Sequence, residues 1–496
     1  MSVVRGGLRR RVVLVLTAAL GGTLGVPAAA EAGAVQPVVR ALHDVAGPSR
    51  YAGSSCNTAT PYYTQPGGKE GEPTVAVDPR HPSRRVVAWM DATRATVDVA
   101  YTRDGGRTWG SSVPRGIDEC TGNSSQAWEA SGDVWASFGP DGTVYLSTLT
   151  WAHFVAPPAT DYVSVVHVQV SHDGGRTWSK PVFLDGHKSV SDKPMVVADP
   201  WHAGVAYEIW RNQSFGMPVG ARGATELLFA RTTDYGRTWS TPRHIADGQP
   251  DDFFGSPQLS VLRDGTLVAT TSLANSAGGT DLLAYRSATH GRAWSGAVKI
   301  RTVTAGALSP ICGQSVAGAD TGSSAGQQTV IGGRTVAFVS LDGAAAAAGH
   351  GAIVLSTSRD GGLNWSKRIL LRRHAPVILA SIAASHGGQL GVIWDEIDSA
   401  AADCSTAVVP TRSRFAIGTR RGELGRAVTL GSRWWNLASG ARGTGGFSGY
   451  FIGDYQSLAA LPGGFTTVTV QGQPLAGPGR PTINGDTGVV VATIRP

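Results

Sequence analysis

The chain has 496 residues, enough for several ordinary domains or for one large repeat fold. Only 16% of the residues are charged, against 66 glycines and 14 tryptophans. That composition excludes a long disordered chain and suits a β protein with many tight turns, where glycine supplies the positive φ that hairpins need. The net charge of +7 drops to +4 without residues 1–34, which hold four arginines and Glu31, and no basic stripe with interleaved aromatics follows, so nucleic acid is not an expected partner.

In chain order, the first element is a targeting segment. Arg5, Arg9, Arg10 and Arg11 form a basic head, an apolar run extends from Val12 to about Val26, and small residues follow with cleavage candidates at Ala30, Ala32 and Ala34. Gly21, Gly22 and Gly25 interrupt the apolar run, which argues for a cleaved signal over residues 1–34 and against a membrane anchor. The paired arginines before the run also fit twin-arginine export. The expected localisation is therefore secreted. Residues 35–70 read as an irregular segment.

From residue 71 onward a unit recurs. It opens with an apolar strand, a turn and a second strand, as in Pro73–Asp78 with Arg85–Trp89 and Val134–Phe138 with Thr143–Leu149. Pro194–Val197 with Gly204–Trp210, Pro257–Leu262 with Thr266–Ser272, Val377–Ala384 with Leu390–Trp394, and Gln456–Leu461 with Gly464–Val470 repeat the pattern. A third strand then leads into a polar turn ending in tryptophan: Thr102-Arg-Asp-Gly-Gly-Arg-Thr-Trp109, Ser171-His-Asp-Gly-Gly-Arg-Thr-Trp178, Thr232-Thr-Asp-Tyr-Gly-Arg-Thr-Trp239 and Ser358-Arg-Asp-Gly-Gly-Leu-Asn-Trp365. A worn fifth copy, Ser287-Ala-Thr-His-Gly-Arg-Ala-Trp294, has Thr289 in place of aspartate. The aspartate and hydroxyl side chains can bond their own turn, the glycine takes a conformation other residues resist, and the tryptophan supplies an apolar plug.

These halves make units at 72–115, 131–185, 191–246, 255–301, 313–372, 375–431 and 450–496. Four strands at this period predict an all-β propeller of four-stranded antiparallel blades, filling 71–496 as one domain. The repeat count is seven, with six as the alternative, since the first strand of the fifth unit is hard to see within 313–333. Ala344–Ala348 reads as a loop tip. The four cysteines, Cys56, Cys120, Cys312 and Cys404, include no C-x-x-C pair, which argues against zinc and for two disulfides. Three pairings are possible; Cys56–Cys120 with Cys312–Cys404 is favoured because each would clip loops of neighbouring repeats.

Functional residues of a propeller gather where the innermost strands begin and the second strands end, because loops of several blades meet there. The first set holds Glu70, Glu72, Asp133, Asp192, Lys193, Asp251, Asp252, Asp454 and Tyr455; the second holds Asp91, Arg94, Arg211, Asp395 and Glu396. Charges of both signs at one mouth suit a polar or anionic ligand. No other catalytic signature, EF-hand spacing or cofactor motif stands out, so neither cofactor nor metal is expected.

The Asp-x-Gly-x-x-Trp turns resemble the Asp-box, or BNR repeat, of the sialidase superfamily. Tyr455, in Gly453-Asp-Tyr-Gln-Ser-Leu458, falls where that family carries its catalytic nucleophile. By the same resemblance Asp91 is the candidate acid, and Glu72 or Glu396 the carboxylate that takes the tyrosine's proton. Arg94, Arg211, Asp192, Lys193, Asp454 and Asp395 would bind substrate. The family's first blade begins Arg-Ile-Pro, whereas Gly71-Glu72-Pro73 stands here. The resemblance implies a glycoside hydrolase acting on terminal sugars of glycans, acidic ones included; with the leader, the expectation is an exported enzyme, and a monomer. The alternatives are a non-catalytic carbohydrate- or protein-binding propeller and a polysaccharide-degrading enzyme of different specificity.

Overall fold

The computed structural model describes residues 36–51, 53–56, 69–123, 128–153, 162–184, 189–214, 225–249, 252–274, 280–303, 308–317, 326–418, 423–443, 449–475 and 486–496. The leader expected at 1–34 lies outside them, as does Asp251.

The apolar runs become strands because both of their faces are covered. Along Arg85–Asp91, Val86 and Ala88 pack with Val134, Ala136 and Leu146 on one side, while Val87 and Trp89 pack with Val468, Val489 and Val491 on the other. Successive side chains of a strand point to opposite faces, so a strand between two neighbouring sheets must be apolar at nearly every position. The same alternation recurs at Val392 and Trp394 against Ile393.

Among the described residues, four-stranded antiparallel units follow one another in sequence order, two of them joined into an eight-stranded sheet, while Ser315–Val316, Gly449–Phe451 and Ala441–Gly443 form a separate three-stranded sheet. The first strands of the four-stranded units are Glu70–Val77, Ala130–Phe138, Ser189–Ala198, Gln258–Val261, Gln327–Ile331, Val377–Ala384 and Ser457–Leu461. Each first strand lies against the next, and the last returns to the first, closing a ring. The second and third are joined through one parallel pairing, Val190 with Ser164. In the fourth sheet, Phe253–Phe254 adds a short strand that pairs with the far end of Leu267–Ala274, along the same edge as Gln258–Val261. The faint start of the fifth unit resolves as Gln327–Ile331, a strand whose residues are mostly half-buried, which explains its weak apolar signal.

Two stretches differ from the sequence expectation. Val38–Asp44, within the segment read as irregular, is a strand pairing antiparallel with Thr487–Arg495, so the N-terminal segment supplies the outer strand of the seventh sheet. Its sequence shows little alternation because its residues are half-exposed at a sheet edge. Gly343–Ala347 is one turn of helix capped by the Asp342 carboxylate, consistent with the high helix propensity of alanine. Disulfides join Cys56 to Cys120 and Cys312 to Cys404.

The polar turns behave as their chemistry requires. Asp173 Oδ1 accepts from the backbone N–H of Thr177 at 2.9 Å and of Arg176 at 3.1 Å, while Oδ2 accepts from the Thr177 hydroxyl at 2.7 Å. Gly175 has φ of 89° and a Cβ there would lie 2.6 Å from Val86 of the preceding sheet, so the turn docks only because the residue is glycine. Trp178 then packs against the core between the first two sheets and donates to Ser112 Oγ.

Candidate functional site

The first strands carry a shared irregularity at their starts. The antiparallel register slips between Gly71 and Thr74, Gly132 and Trp135, Asp192 and Met195, and Ile378 and Ser381. Within these bulges Glu72, Asp133, Lys193 and Leu379 have φ of 54°, 47°, 53° and 52°. A left-handed non-glycine residue costs about 1–2 kcal/mol, and strain of this kind persists only where surrounding structure holds it. Pro73 and Pro194 follow two of the four; proline cannot donate to the ladder, which favours a break in pairing there.

Three of the bulges deliver charge to one place. Lys193 Nζ lies 2.6 Å from Asp454 Oδ2, 2.8 Å from Asp133 Oδ1 and 3.2 Å from Glu72 Oε1. Glu72 Oε2 also accepts from the backbone N–H of Asp133 at 3.1 Å. Three carboxylates thus surround one ammonium, an excess of negative charge relieved by keeping a proton. Burial, and then the adjacent Asp133 charge, push the Glu72 carboxyl well above its ordinary range. Burial pushes Asp133 up as well, but Lys193, a hydrogen bond shared with Glu72 and the nearby Arg211 outweigh it and hold Asp133 low. Burial opposes the Lys193 charge, yet Asp133, Asp454 and Glu72 keep it protonated far above the usual lysine range. The two carboxyls are driven in opposite directions, Glu72 towards its neutral form and Asp133 towards its anion.

Tyr455 adjoins this group. Its hydroxyl donates to the Val134 carbonyl at 2.8 Å, and its ring meets Trp135 edge to face at 5.4 Å. Burial, then Glu72 and Asp133, raise the phenol well above its ordinary value, so it is a neutral donor. Beside the cluster, Asp192 pairs with Arg211. The Arg211 guanidinium stacks 4.1 Å over Phe253 and donates to the Phe254 carbonyl at 3.0 Å, which locks it across the third and fourth sheets.

The structure therefore brings Tyr455, Glu72, Lys193 and Asp454 together, with Asp192 and Arg211 alongside. The remaining candidates have other partners. Asp91 accepts from Ser49 Oγ and from the Thr93 N–H at 3.0 Å, under the segment that follows the N-terminal strand. Burial raises it, and Arg94 partly opposes that. Nearby, Glu70 accepts from Thr487 Oγ1 at 2.6 Å. Glu396 is held by Arg373 at 3.0 Å and Arg412 at 2.7 Å and accepts from Trp394 Nε1 at 2.9 Å. Its burial would raise it, but the Trp394 bond and these arginines hold it low. Asp395, fully buried on the opposite face of that strand, is pushed up to about 7 by burial.

Asp133 had only its place among the mouth residues to mark it; its direct bond to Lys193 arises from three sheets converging. The recurrence Gly71-Glu72-Pro73, Gly132-Asp133-Val134 and Asp192-Lys193-Pro194 was the signal available. The arginines around Glu396 lie on separate strands and left no such trace. Among the described residues, Glu226, His244 and Asp247 are the one group with donor atoms close enough to share a metal ion, at the outer edge of the third sheet and remote in sequence from the residues around Lys193.

The BNR/Asp-box repeat family matches residues 169–180. No curated protein matches by sequence. Similar solved structures include the Hadza microbial sialidase Hz136, at 14% identity and TM-score 0.46, covering 83% of this chain and 73% of that one. The α-L-arabinofuranosidase Arb93A of Fusarium graminearum aligns at 14% identity and TM-score 0.42, covering 73% and 92%. Trypanosoma rangeli sialidase in complex with DANA aligns at 14% identity and TM-score 0.40, covering 73% and 55%. The chain thus carries a BNR/Asp-box repeat at residues 169–180, set in a ring of four-stranded antiparallel sheets with the architecture of a β-propeller.

Proposed function

We propose that this chain is an exported glycoside hydrolase whose acid–base chemistry resides in the cluster around Lys193. The observation that carries this is the convergence of Glu72, Asp133 and Asp454 on Lys193 beside Tyr455, where the surroundings drive the Glu72 and Asp133 carboxyls in opposite directions. Glycosidic cleavage needs a carboxyl that is neutral at working pH beside a carboxylate that is not, and environments that split two such groups assign the roles. Glu72 supplies a proton to the leaving oxygen as the glycosidic bond breaks. Tyr455 supplies the nucleophile: its Oη bonds to the anomeric carbon while its proton passes to Asp133, since the phenol is too strongly held neutral to ionise alone. Water then releases the sugar in the reverse proton sequence. Lys193 fixes the three carboxylates and limits how many ionise. Asp454, half-buried at the rim, and Arg211 face the incoming sugar.

Export is supported by the basic and apolar residues at the N-terminus and by the two disulfides, which persist in oxidising compartments. The test is hydrolysis of a panel of fluorogenic glycosides, with sialoside, arabinofuranoside and glucuronide members, by the mature protein and by Tyr455→Phe and Glu72→Gln variants. Turnover of one member that is lost in both variants supports the proposal. Turnover unaffected by either, or none across the panel, defeats it.

A further inference from the structure

A second charged feature lies at the opposite end of the sheets, independent of the chemistry around Lys193. The turn that closes the first hairpin of the fourth sheet carries Arg263 and Asp264, and the corresponding turn of the fifth carries Arg334. The strand Thr280–Ser287 brings Arg286, and the Asp-box turn of the fifth sheet brings Arg359 and Asp360. Together they line a cavity of about 610 Å³, within the span of roughly 300–1,000 Å³ usual for small-ligand sites.

Its charge balance favours an anion. The two carboxylates are committed to their own turns: Asp264 accepts from the Thr266 N–H at 3.0 Å, and Asp360 from Ser358 Oγ at 2.8 Å and the Asn364 N–H at 2.9 Å. Among the described residues none of the four guanidinium groups forms a salt bridge, and the buried Arg286 Nε has no acceptor. Four arginines against two engaged carboxylates leave an excess of positive charge around the cavity. At its rim Trp201, 46% exposed, stacks with Arg263, whose Cζ is 5.7 Å from the indole centroid. Gly333 leaves room for both, since a Cβ there would lie 3.2 Å from Arg263 Cβ and 3.5 Å from Trp201 Cζ2. An exposed indole beside guanidinium forks suits a sugar ring bearing an acidic group, the ring lying on the aromatic face and the anion pairing with arginine.

We propose that this cavity is a second, non-catalytic site for an acidic oligosaccharide carrying carboxylate or sulfate groups. Binding is measured with fluorescently labelled oligogalacturonate for the carboxylate arm and a heparin-derived oligosaccharide for the sulfate arm. A neutral maltooligosaccharide and a short single-stranded oligodeoxynucleotide of matched charge serve as controls. At least one acidic sugar is expected to bind at low ionic strength and to weaken with salt, with the neutral sugar inert. The exposed pair R334E/R359E should weaken binding roughly tenfold or more with the melting temperature unchanged, and Trp201→Ala should weaken it too. Glu72→Gln should leave it intact, which separates this site from the one around Lys193. Absence of binding by both acidic sugars, binding undiminished in R334E/R359E, or equal binding of the oligodeoxynucleotide would overturn the proposal.

Discussion

Glu72 and Asp133 hold one proton between them, and their opposite shifts fix the expected pH behaviour. Activity requires Glu72 protonated and Asp133 ionised, so the rate should fall on the acid side as Asp133 gains a proton and on the alkaline side as Glu72 loses one. The pH profile of kcat/KM against the hydrolysed glycoside should therefore be a bell. Glu72→Gln should lower the rate roughly 100- to 10,000-fold and remove the alkaline limb. Lys193 has a structural share as well. Lys193→Met would leave three carboxylates facing one another without their ammonium, and breaking a buried ion pair in this way costs about 3–5 kcal/mol. Without Lys193 those carboxyls hold protons more tightly folded than unfolded, so the variant's stability should rise as pH falls, measured by thermal melts at several pH values. Asp395 obeys the same sign in the native protein. Its folded carboxyl is raised to about 7, so its contribution to stability is complete below the ordinary carboxylate range and disappears as pH rises through 7. Asp395→Asn should flatten the decline of melting temperature between mildly acidic and neutral pH.

At the scale of the element, the Asp-box turn is a local device that can be broken and repaired. Asp173→Ala removes the acceptor of two backbone N–H groups and two hydroxyls and should destabilise the protein by about 1–3 kcal/mol. In the worn copy Thr289 Oγ1 accepts from a single backbone N–H, that of Ala293 at 2.9 Å, beside a 3.2 Å contact with Ser287 Oγ, while Gly291 keeps the positive φ of its counterparts. Thr289→Asp should therefore gain stability, by on the order of 0.5–1.5 kcal/mol, read as a higher midpoint in denaturant. These turns were legible in the sequence because each is complete within about eight residues and its hydrogen bonds run between near neighbours. The bulges that aim Glu72, Asp133 and Lys193 were only half legible. Their residues recur at the right places, but a left-handed φ at a charged residue is imposed by pairing with a second strand and contact with the next sheet. Leu379 occupies the equivalent bulge of the sixth sheet, so the backbone device belongs to the fold and the side chain alone decides whether it carries chemistry.

Across the whole molecule, stability depends on each sheet covering its neighbours and on the ring being closed. Trp394, wholly buried between the fifth and sixth sheets, should cost about 3–5 kcal/mol when replaced by alanine, a loss visible as a shifted unfolding midpoint. The sequence by itself determined the repeat, the strand-rich fold and the turn chemistry, because alternation, turn residues and the Asp-box are properties of short stretches. It also marked the mouth residues as a set. Only the tertiary structure decided which of them meet: Lys193 gathers Glu72, Asp133 and Asp454, whereas Asp91 pairs with Ser49 and Glu396 with Arg373 and Arg412. It likewise decided that Val38–Asp44 completes the seventh sheet beside Thr487–Arg495. Those partners lie tens to hundreds of residues apart, and their distances follow from how the sheets close around the ring, which no local pattern encodes.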